Sequence, residues 1–478
     1  MDPNQGRHFR AGLFSIGLEA YWTQFEGLKD RLTSHNRMVS ERLRAAGADV
    51  VNLGLIDTPE KAASAGHRFR ETDVDLVFLH VSTYALSSTV LPVVRRAKVP
   101  VILLNLSPGP AIDYAAFNAL ADRGRMTAEW LSWCQPCAVP EIANVFRRAR
   151  IPFFQVTGML PDPAVWNEIA EWVQAARVAF AMEHNRLGLM GHYYGGMLDI
   201  YSDLTRQAAA FGGHIELLEV DELVELRRGV PDAAVEERVH RLQEVFDVQP
   251  DCPPAELRRS ARTSLALDWL VERHALGSLA YYYRGAGIPE NEDAIGSIIP
   301  GASLLTAHGV PVAGEYEVKN AQAMKILDLF GAGGSFTEYY AADFREDVVL
   351  MGHDGPGHPA IAEGKIKVRP LGVYHGKIGA GLSVEMSVRN GPATLLAVVE
   401  DGAGIKLLAA HAESVPGPIL EIGNSNSRYR FACGARRFME AWTAQGPAHH
   451  CAVGVGHIAG KLHKLASLLG LECVEIGA

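Results

Sequence analysis

The sequence predicts an α/β chain that ends in a mainly antiparallel β region. Near-continuous apolar runs alternate with helix-length segments over the first two thirds of the chain, whereas shorter alternating runs broken by Gly, Pro, Asn and Asp follow residue 330. The first pattern is typical of parallel sheets that helices cover on both faces. The second is typical of antiparallel strands in a sandwich or barrel.

A first parallel sheet is predicted from apolar runs that are separated by segments long enough for helices. The runs are 13–16, 50–53, 74–79, 99–104 and 152–156. The intervening helix-length segments include 26–46, 59–70 and 85–96. This alternation predicts an N-terminal α/β domain over residues 1–180.

The same pattern then recurs with a second set of strands and helices. Predicted strands at 186–190, 214–218 and 276–283 alternate with predicted helices at 198–211 and 260–274. A second α/β domain is therefore expected over residues 181–330.

The last part of the chain has the patterning of short antiparallel strands. The alternating runs are 348–351, 365–371, 382–387, 393–400 and 405–410, followed by helical segments at 436–444 and 458–469 and a strand at 473–476. A third domain, antiparallel β with terminal helices, is expected over residues 331–478.

Length and composition agree with this division and exclude several classes of partner. The 478 residues suggest about three domains at ~150 residues each. The net charge of −10 argues against binding nucleic acid through phosphate neutralisation. The polar start MDPNQGRHFR lacks the apolar core of a secretory signal, and the apolar stretch 90–106 contains three basic residues. We therefore expect a cytoplasmic protein without a membrane partner.

The cysteines point to a reducing compartment rather than to a disulfide scaffold. The chain has only six, two of them in WCQPC at 133–137. This spacing is that of a redox motif, whose chemistry needs the first Cys at a helix N-terminus directly after a strand. Because the preceding residues MTAEWLS favour a helix, we expect Cys134 and Cys137 to be two separate structural thiols.

Four segments combine ionisable residues with the Gly and Pro of exposed loops. They are GEYEVKN at 314–320, SFTEYY at 335–340, MGHDGPGHP at 351–359 and GPAHH at 446–450. Two carboxylates and two imidazoles suit a divalent cation such as Mn²⁺ and leave positions open for substrate oxygens. Taken singly, each acid also fits a solvated surface turn and each histidine a buried structural role, and spacing alone does not bring the segments together.

Taken in order, GEYEVKN, GGSFTEYY, LMGHDGP and GPAHH resemble the motifs of the L-arabinose isomerase family, within the wider fucose/arabinose isomerase group. The resemblance implies two Rossmann-like parallel-sheet domains followed by a β-rich, barrel-like C-terminal domain. It also implies that Glu315, Glu338, His353 and His450 bind Mn²⁺, with Co²⁺ or Mg²⁺ as alternatives. The choice of His450 over His449 as ligand follows the family pattern.

The same resemblance implies an aldose–ketose isomerase. Glu315 and Glu338 would be the acid/base pair that moves protons through an enediol(ate), and His449 would lie in the substrate pocket. A homo-oligomer, trimer or hexamer, is also implied. The first loop lacks the family's Trp, and DGPGHPAI follows His353 in place of the family's usual run. The sugar therefore stays open between a pentose such as L-arabinose and a related hexose or deoxysugar.

Two further residues are candidates for contacts with a substrate. His192 and Tyr193 follow a predicted strand at its C-terminal end, where ligands of parallel sheets bind. They would contact sugar hydroxyls or pack at a domain interface. A non-catalytic sugar-binding or regulatory protein on the same scaffold, and a related metal-dependent sugar lyase or epimerase, are the alternative functions.

Overall fold

The computed structural model describes residues 7–374, 377–378 and 381–477. The chain divides into two compact units, one ending at Phe180 and the other beginning at Ala181. The first six residues of the polar start, interpreted above as lacking a secretory signal, lie outside the described residues. No helix in the described part of the chain is long and apolar enough to cross a membrane.

The first unit is built on a five-stranded parallel sheet with strand order β2-β1-β3-β4-β5. Its strands are β1 (Arg10–Ile16), β2 (Asp49–Ile56), β3 (Leu76–His80), β4 (Val101–Ser107) and β5 (Phe153–Met159). Its helices are α1 (Leu28–Ala45), α2 (Pro59–Glu71), α3 (Leu91–Ala97), α4 (Tyr114–Asn118), α5 (Arg123–Ser132), α6 (Gln135–Ala149) and α7 (Pro163–Glu183). Every residue of the central strand β3 is buried, as expected for a strand with sheet neighbours on both sides and helices on both faces.

The second unit begins with a four-stranded parallel sheet of order β10-β9-β6-β7. Its strands are β6 (Arg186–Met190), β7 (His214–Leu218), β9 (Ser278–Tyr281) and β10 (Val312–Ala313), while β8 (Asp247–Val248) lies outside this sheet. The helices of this part are α8 (Leu204–Phe211), α9 (Val220–Arg228), α10 (Asp232–Val245), α11 (Pro254–His274), α12 (Pro289–Ile295), α13 (Ile299–Ala307) and α14 (Val318–Leu329). The predicted strand 276–283 is shorter in the structure, because the chain leaves the sheet after Tyr281.

The C-terminal part is a closed antiparallel barrel. Its strands are β11 (Ser335–Asp343), β12 (Val348–His353), β17 (Gly391–Asp401), β18 (Gly404–Ser414), β19 (Ser425–Arg430) and β20 (His450–Val455), in the order β17-β20-β11-β12-β19-β18. Pairing of β18 with β17 closes the barrel. Closure leaves no free edge between these six strands.

The remaining elements surround the barrel. The short strands are β13 (Lys367–Pro370), β14 (Val373–Tyr374), β15 (Lys377–Ile378) and β16 (Leu382–Glu385), and β21 (Glu472–Ile476) adds to β18 in parallel. Strand β13 joins β16 to β8 in a three-stranded sheet, and β14 pairs with β15. The helices are α15 (Ala435–Ala444) and α16 (Ala459–Leu469). The predicted fold class is confirmed, while the division into three domains at residues 180 and 330 stays a prediction.

Helix α14 links the parallel sheet to the barrel. It contacts β9 and β10 of the parallel sheet and β17 and β20 of the barrel, and every residue from Val318 to Leu327 is buried. A helix that is buried all round needs no apolar stripe, which is why its sequence shows no amphipathic pattern. The loop that enters this helix carries Glu315 and Glu317.

One expectation about the cysteines is wrong. The segment before WCQPC is helical, as expected, and forms α5. However, Cys134 and Cys137 are joined in a disulfide, with their Cα atoms 5.5 Å apart. Because the second helix, α6, begins immediately after Cys134, the two residues lie on its first turn, within bonding range of each other.

Candidate active site

Strand pairing in the barrel brings three of the predicted residues together. Glu338 on β11 is paired with His450 on β20 on one side and with Gly352 on β12 on the other. His353 follows Gly352 at the end of β12. The backbone register of three neighbouring strands therefore places one carboxylate and two imidazoles at the same end of the sheet.

The loop between β10 and α14 adds the second carboxylate. Glu315 and Tyr316 both have left-handed backbone conformations, with φ of 58° and 62°. Two consecutive non-glycine residues in this region are unfavourable and persist only when surrounding contacts hold them. The Tyr316 N–H donates a hydrogen bond of 2.8 Å to the Tyr281 carbonyl at the end of β9, which is one such contact.

The five motif residues form one group, named here the inner cluster (Glu315, Glu338, His353, His449 and His450). Glu315 Oε1 lies 3.9 Å from His353 Nε2, and Glu315 Oε2 lies 3.5 Å from His450 Nε2. His449 Nε2 lies 3.9 Å from Glu338 Oε2. Ligand atoms within 4.8 Å of one another are found in Glu315, His449 and His450, and also in Glu338, His353 and His450.

Several polar atoms of the inner cluster are buried without a partner. Glu315 and His450 are 4% and 2% exposed. Glu315 Oε2 and both ring nitrogens of His450 have no hydrogen-bond partner among the described residues. An unsatisfied buried polar group costs about 1–3 kcal/mol. A carboxylate oxygen and an imidazole nitrogen in this state suit a divalent cation, which would supply the missing interaction.

Burial also shifts the proton affinities of the cluster. It raises the pKa of Glu315 to about 7, and the neighbouring carboxylates of Glu338 and Glu317 add to this rise while His449 opposes it. Burial likewise raises the pKa of Glu338. It holds the pKa of His450 well below its usual range, so this imidazole is neutral at pH 7. A neutral imidazole is the form that binds a metal ion.

A backbone contact orients His353. Its Nδ1 lies within hydrogen-bond distance of the Asp354 carbonyl oxygen, which can only accept, so Nδ1 carries the proton. The lone pair is then on Nε2, the atom that faces Glu315. The Phe336 ring lies against both imidazoles, at 4.4 Å from His353 and 4.5 Å from His450, and restricts their rotation.

Asp199 is a member of the site that the sequence reading missed. Its Oδ2 accepts a hydrogen bond from the His449 backbone N–H at 3.0 Å and lies 2.6 Å from His449 Nδ1. The buried Lys319 donates to the Asp199 carbonyl at 2.8 Å. No signal in the sequence identifies this residue, because it is an ordinary acid in the segment MLDIYSD, 250 positions away from its partner.

Glu317 has a different role from Glu315, its neighbour in the same motif. Its carboxylate accepts a hydrogen bond from the Lys319 backbone N–H and caps the N-terminus of α14. The carboxylate also lies 3.3 Å from Lys319 Nζ, so its charge is compensated. Its Oε2 is 3.6 Å from His450 Nδ1. Glu317 therefore lies behind the inner cluster and supports it.

The two residues proposed from the central strand occupy different surroundings. The Tyr193 ring packs edge-on against Tyr316 at 4.8 Å, so it borders the loop that carries Glu315. His192 is exposed beside Tyr282, with their rings 4.4 Å apart. Contacts of either side chain with a substrate stay a prediction.

Comparison with known proteins gives consistent matches. A family model described as the L-arabinose isomerase C-terminal domain matches residues 333–472. The L-arabinose isomerase of a Nocardioides species is 26% identical over 358 residues, which cover 71% of this chain and 69% of that protein. That of Vibrio parahaemolyticus is 21% identical over 445 residues, covering 89% of this chain and 86% of that protein. This chain is similar to the L-arabinose isomerases, and its C-terminal part matches their C-terminal domain.

The family match covers most of the inner cluster. Glu338, His353, His449 and His450 lie within residues 333–472, whereas Glu315 precedes that segment. Among solved structures, a solute-binding protein of an ABC transporter from Burkholderia multivorans matches at 12% identity over 68% of this chain and 93% of that one. Its TM-score of 0.14 is too low for the likeness to carry an argument.

Proposed function

We propose that this protein is a metal-dependent aldose–ketose isomerase whose active site is the inner cluster. The observation that carries the proposal is the convergence of two carboxylates and three imidazoles in which buried ligand atoms lack partners. Similarity to the L-arabinose isomerases supports the reaction type. The protein is thus proposed to interconvert an aldose and its ketose.

Glu315, Glu338, His353 and His450 are the proposed metal ligands. The set of two carboxylates and two imidazoles suits Mn²⁺, with Co²⁺ or Mg²⁺ as alternatives. A bound cation of this kind would act as a Lewis acid toward the carbonyl and hydroxyl oxygens of a sugar. The neutral state of His450 and the orientation of His353 Nε2 both suit such ligation.

The proposed chemical role of the carboxylates is proton transfer. Converting an aldose into a ketose moves one proton from C2 to C1 and another from the C2 hydroxyl to the C1 oxygen, through an enediol(ate). Glu315, with a pKa of about 7, can both accept and return a proton near neutral pH. Glu338 is the proposed second member of the pair, because its carboxylate lies in the same cluster.

His449 is proposed to bind and orient the substrate. The His449 Nδ1–H donates a hydrogen bond to Asp199 Oδ2. Nε2 of the same ring is then directed toward Glu338. This imidazole is more exposed than the others of the cluster and can reach a sugar hydroxyl. Tyr193 and His192 are proposed to contact the sugar farther from the reacting carbons.

The substrate is proposed to be a pentose such as L-arabinose, or a related hexose or deoxysugar. The curated relatives are named L-arabinose isomerase, which favours the first. Because the Glu315 and His353 loops differ from those of the family, a related hexose or deoxysugar is retained as an alternative substrate. We also propose a cytoplasmic location and a homo-oligomeric state.

The test uses the full chain, stripped with EDTA and reloaded with Mn²⁺, Co²⁺ or Mg²⁺. Incubation in D₂O with L-arabinose, L-fucose and D-galactose should yield at least one ketose that carries deuterium at C1. Glu421→Gln, a change at an exposed carboxylate of the same unit, serves as the control and should retain full turnover.

Other outcomes separate the alternatives. Deuterium exchange without a ketose would indicate an epimerase or lyase. Saturable sugar binding without exchange, on all three metals, would indicate a non-catalytic sugar-binding protein. Either result would overturn the isomerase proposal.

A further inference from the structure

The disulfide between Cys134 and Cys137 has no part in the proposed isomerase chemistry. The cysteines at 252, 433, 451 and 473 are free. The bond joins two residues that are only three positions apart in sequence, so the loop that it closes is very short. The stabilisation expected from a cross-link falls as the loop becomes shorter, so stability alone gives little reason for this one. In a reducing compartment, a disulfide is usually one that opens and closes during its function.

The two sulfurs differ in access to solvent. Cys134 is 2% exposed and packs in a small core with Leu28, Leu32 and Leu131. Cys137 is exposed on the first turn of α6. In thiol–disulfide exchange, a thiolate attacks a sulfur that it can reach, and the other sulfur leaves. The arrangement therefore makes Cys137 the sulfur that is attacked and Cys134 the leaving group.

The start of α6 suits a leaving thiolate. Cys134 is the N-cap residue of this 15-residue helix, and no side chain of the described residues caps its first turn. The free N–H groups and the dipole of a helix N-terminus favour a negative charge on sulfur. A redox motif of this spacing needs such a helix start, and the short turn between α5 and α6 provides it without a preceding strand.

The first turn of α6 is also anchored independently of the disulfide. Gln135 is buried, and its side-chain amide donates to the carbonyl oxygens of Ser132 and Ser82 at 2.7 and 3.1 Å. These bonds do not involve either sulfur. The helix start should therefore keep its position when the disulfide opens.

From these observations we propose that Cys134 and Cys137 form a reversible thiol–disulfide exchange site for small thiols, with Cys137 as the interchange sulfur. A first external thiolate bonds to Cys137 Sγ, the intramolecular S–S bond breaks, and Cys134 leaves as a thiolate. A second external thiolate then attacks the external sulfur of the mixed disulfide and releases Cys137. The two protein thiolates take up the two protons that the external thiols lost. The disulfide gains two electrons, and the two external thiols are oxidised to one disulfide.

The direct test uses the wild-type chain and glutathione. The folded protein is treated with substoichiometric reduced glutathione, quenched with iodoacetamide and digested for mass spectrometry. The proposal predicts glutathione on Cys137 and the alkyl group on Cys134 of the same molecules. Glutathione found on Cys134, or reduction by dithiothreitol only after denaturation, would overturn it.

A matched pair of variants tests the order of attack. Cys134→Ser leaves only Cys137 of the pair, and Cys137→Ser leaves only Cys134. After circular dichroism has verified folding, Cys137 should react with Ellman's reagent about tenfold faster or more than Cys134. Cys433→Ser, at a free cysteine, should keep the disulfide and serves as the control. Equal or reversed rates would contradict the proposal, and the wild-type experiment decides the matter if either variant fails to fold.

Discussion

The second unit contains two groups of three histidines and two glutamates, and they differ in burial and in how their polar atoms are satisfied. One is the inner cluster. The other, named here the outer cluster, consists of His411, His457, His463, Glu413 and Glu475. Of these two groups, the inner cluster brings sets of three ligand atoms within 4.8 Å of one another, whereas the outer cluster does not.

The outer cluster is satisfied by its own contacts and is open to solvent. Its histidine side chains are 35–43% exposed. His463 Nε2 lies 3.2 Å from Glu475, and His457 Nε2 lies 3.1 Å from the Ala412 carbonyl oxygen. His411 Nε2 accepts a hydrogen bond from the Ala459 N–H, which occupies its lone pair.

Residue type alone therefore does not define a metal site. A cation at the outer cluster would have to displace water and existing partners. At the inner cluster, it would satisfy buried atoms whose isolation otherwise destabilises the fold. The same burial raises the pKa of Glu315 and prepares it for proton transfer.

The largest expected effect is on turnover. Glu315→Gln keeps the shape of the side chain and removes its ability to accept a proton, so kcat should fall about 10²–10⁴-fold. The matched change in the outer cluster, Glu475→Gln, should leave kcat unchanged. Steady-state ketose formation measures both. Comparable losses in the two variants would remove the distinction between the clusters.

Metal removal should affect stability next most strongly. A ligand that binds only the folded state adds about 2.7 kcal/mol at a concentration one hundred times its dissociation constant. The melting temperature should therefore rise when Mn²⁺ is added to EDTA-treated protein. His463→Gln should show the same rise, and His450→Gln should show little. If Mn²⁺ raises the melting temperature of His450→Gln as much as that of the wild type, the stabilising ion binds elsewhere.

A smaller effect is expected at Asp199. Asp199→Asn keeps an oxygen acceptor for the His449 backbone but removes the charge beside His449 Nδ1, so we expect about a tenfold loss of kcat. Asp199→Glu should restore part of this loss, and the acidic limb of the pH–rate profile should move in the Asn variant. A kcat that is unchanged at every pH would show that the contact does not position His449.

The last expected effect is on the pH dependence of stability. The folded-state pKa of Glu315, about 7, lies above the ordinary value of 4.5, so its protonated form favours the folded state. This stability is fully present below pH 4.5 and is lost as the pH rises through 7, at no more than about 1.4 kcal/mol per pH unit. Urea unfolding of the metal-free protein from pH 5 to 8 measures it. The slope should be smaller in Glu315→Gln, and an equal slope would contradict this assignment.

The fold class was predictable because it depends on local patterns. Apolar runs of strand length and the spacing between them are present in the sequence, and they predicted both parallel sheets and an antiparallel C-terminal part, as a sandwich or barrel. Closure of the barrel by β17 and β18 was not predictable, since it depends on the register of strands rather than on their composition. The burial of α14 on all sides was also not predictable, because a helix that is buried between two sheets has no amphipathic pattern in its sequence.

The candidate site was predictable only where residue type and motif coincide. Glu315, Glu338, His353, His449 and His450 lie in recognisable segments, and the structure brings them together. Asp199 was missed because its contact with His449 arises only from the fold. The bond between Cys134 and Cys137 was missed because the absence of a preceding strand was given too much weight, when the turn between two helices provides the same helix start.

The inner cluster is the proposed metal site. Calorimetric titration of the EDTA-treated chain with Mn²⁺ tests this directly, with His450→Gln and His463→Gln as the matched pair. We expect one site per chain in the wild type and in His463→Gln, and an affinity at least about 100-fold weaker in His450→Gln. Unchanged binding in His450→Gln, or its loss in His463→Gln, would show that the metal binds outside the inner cluster.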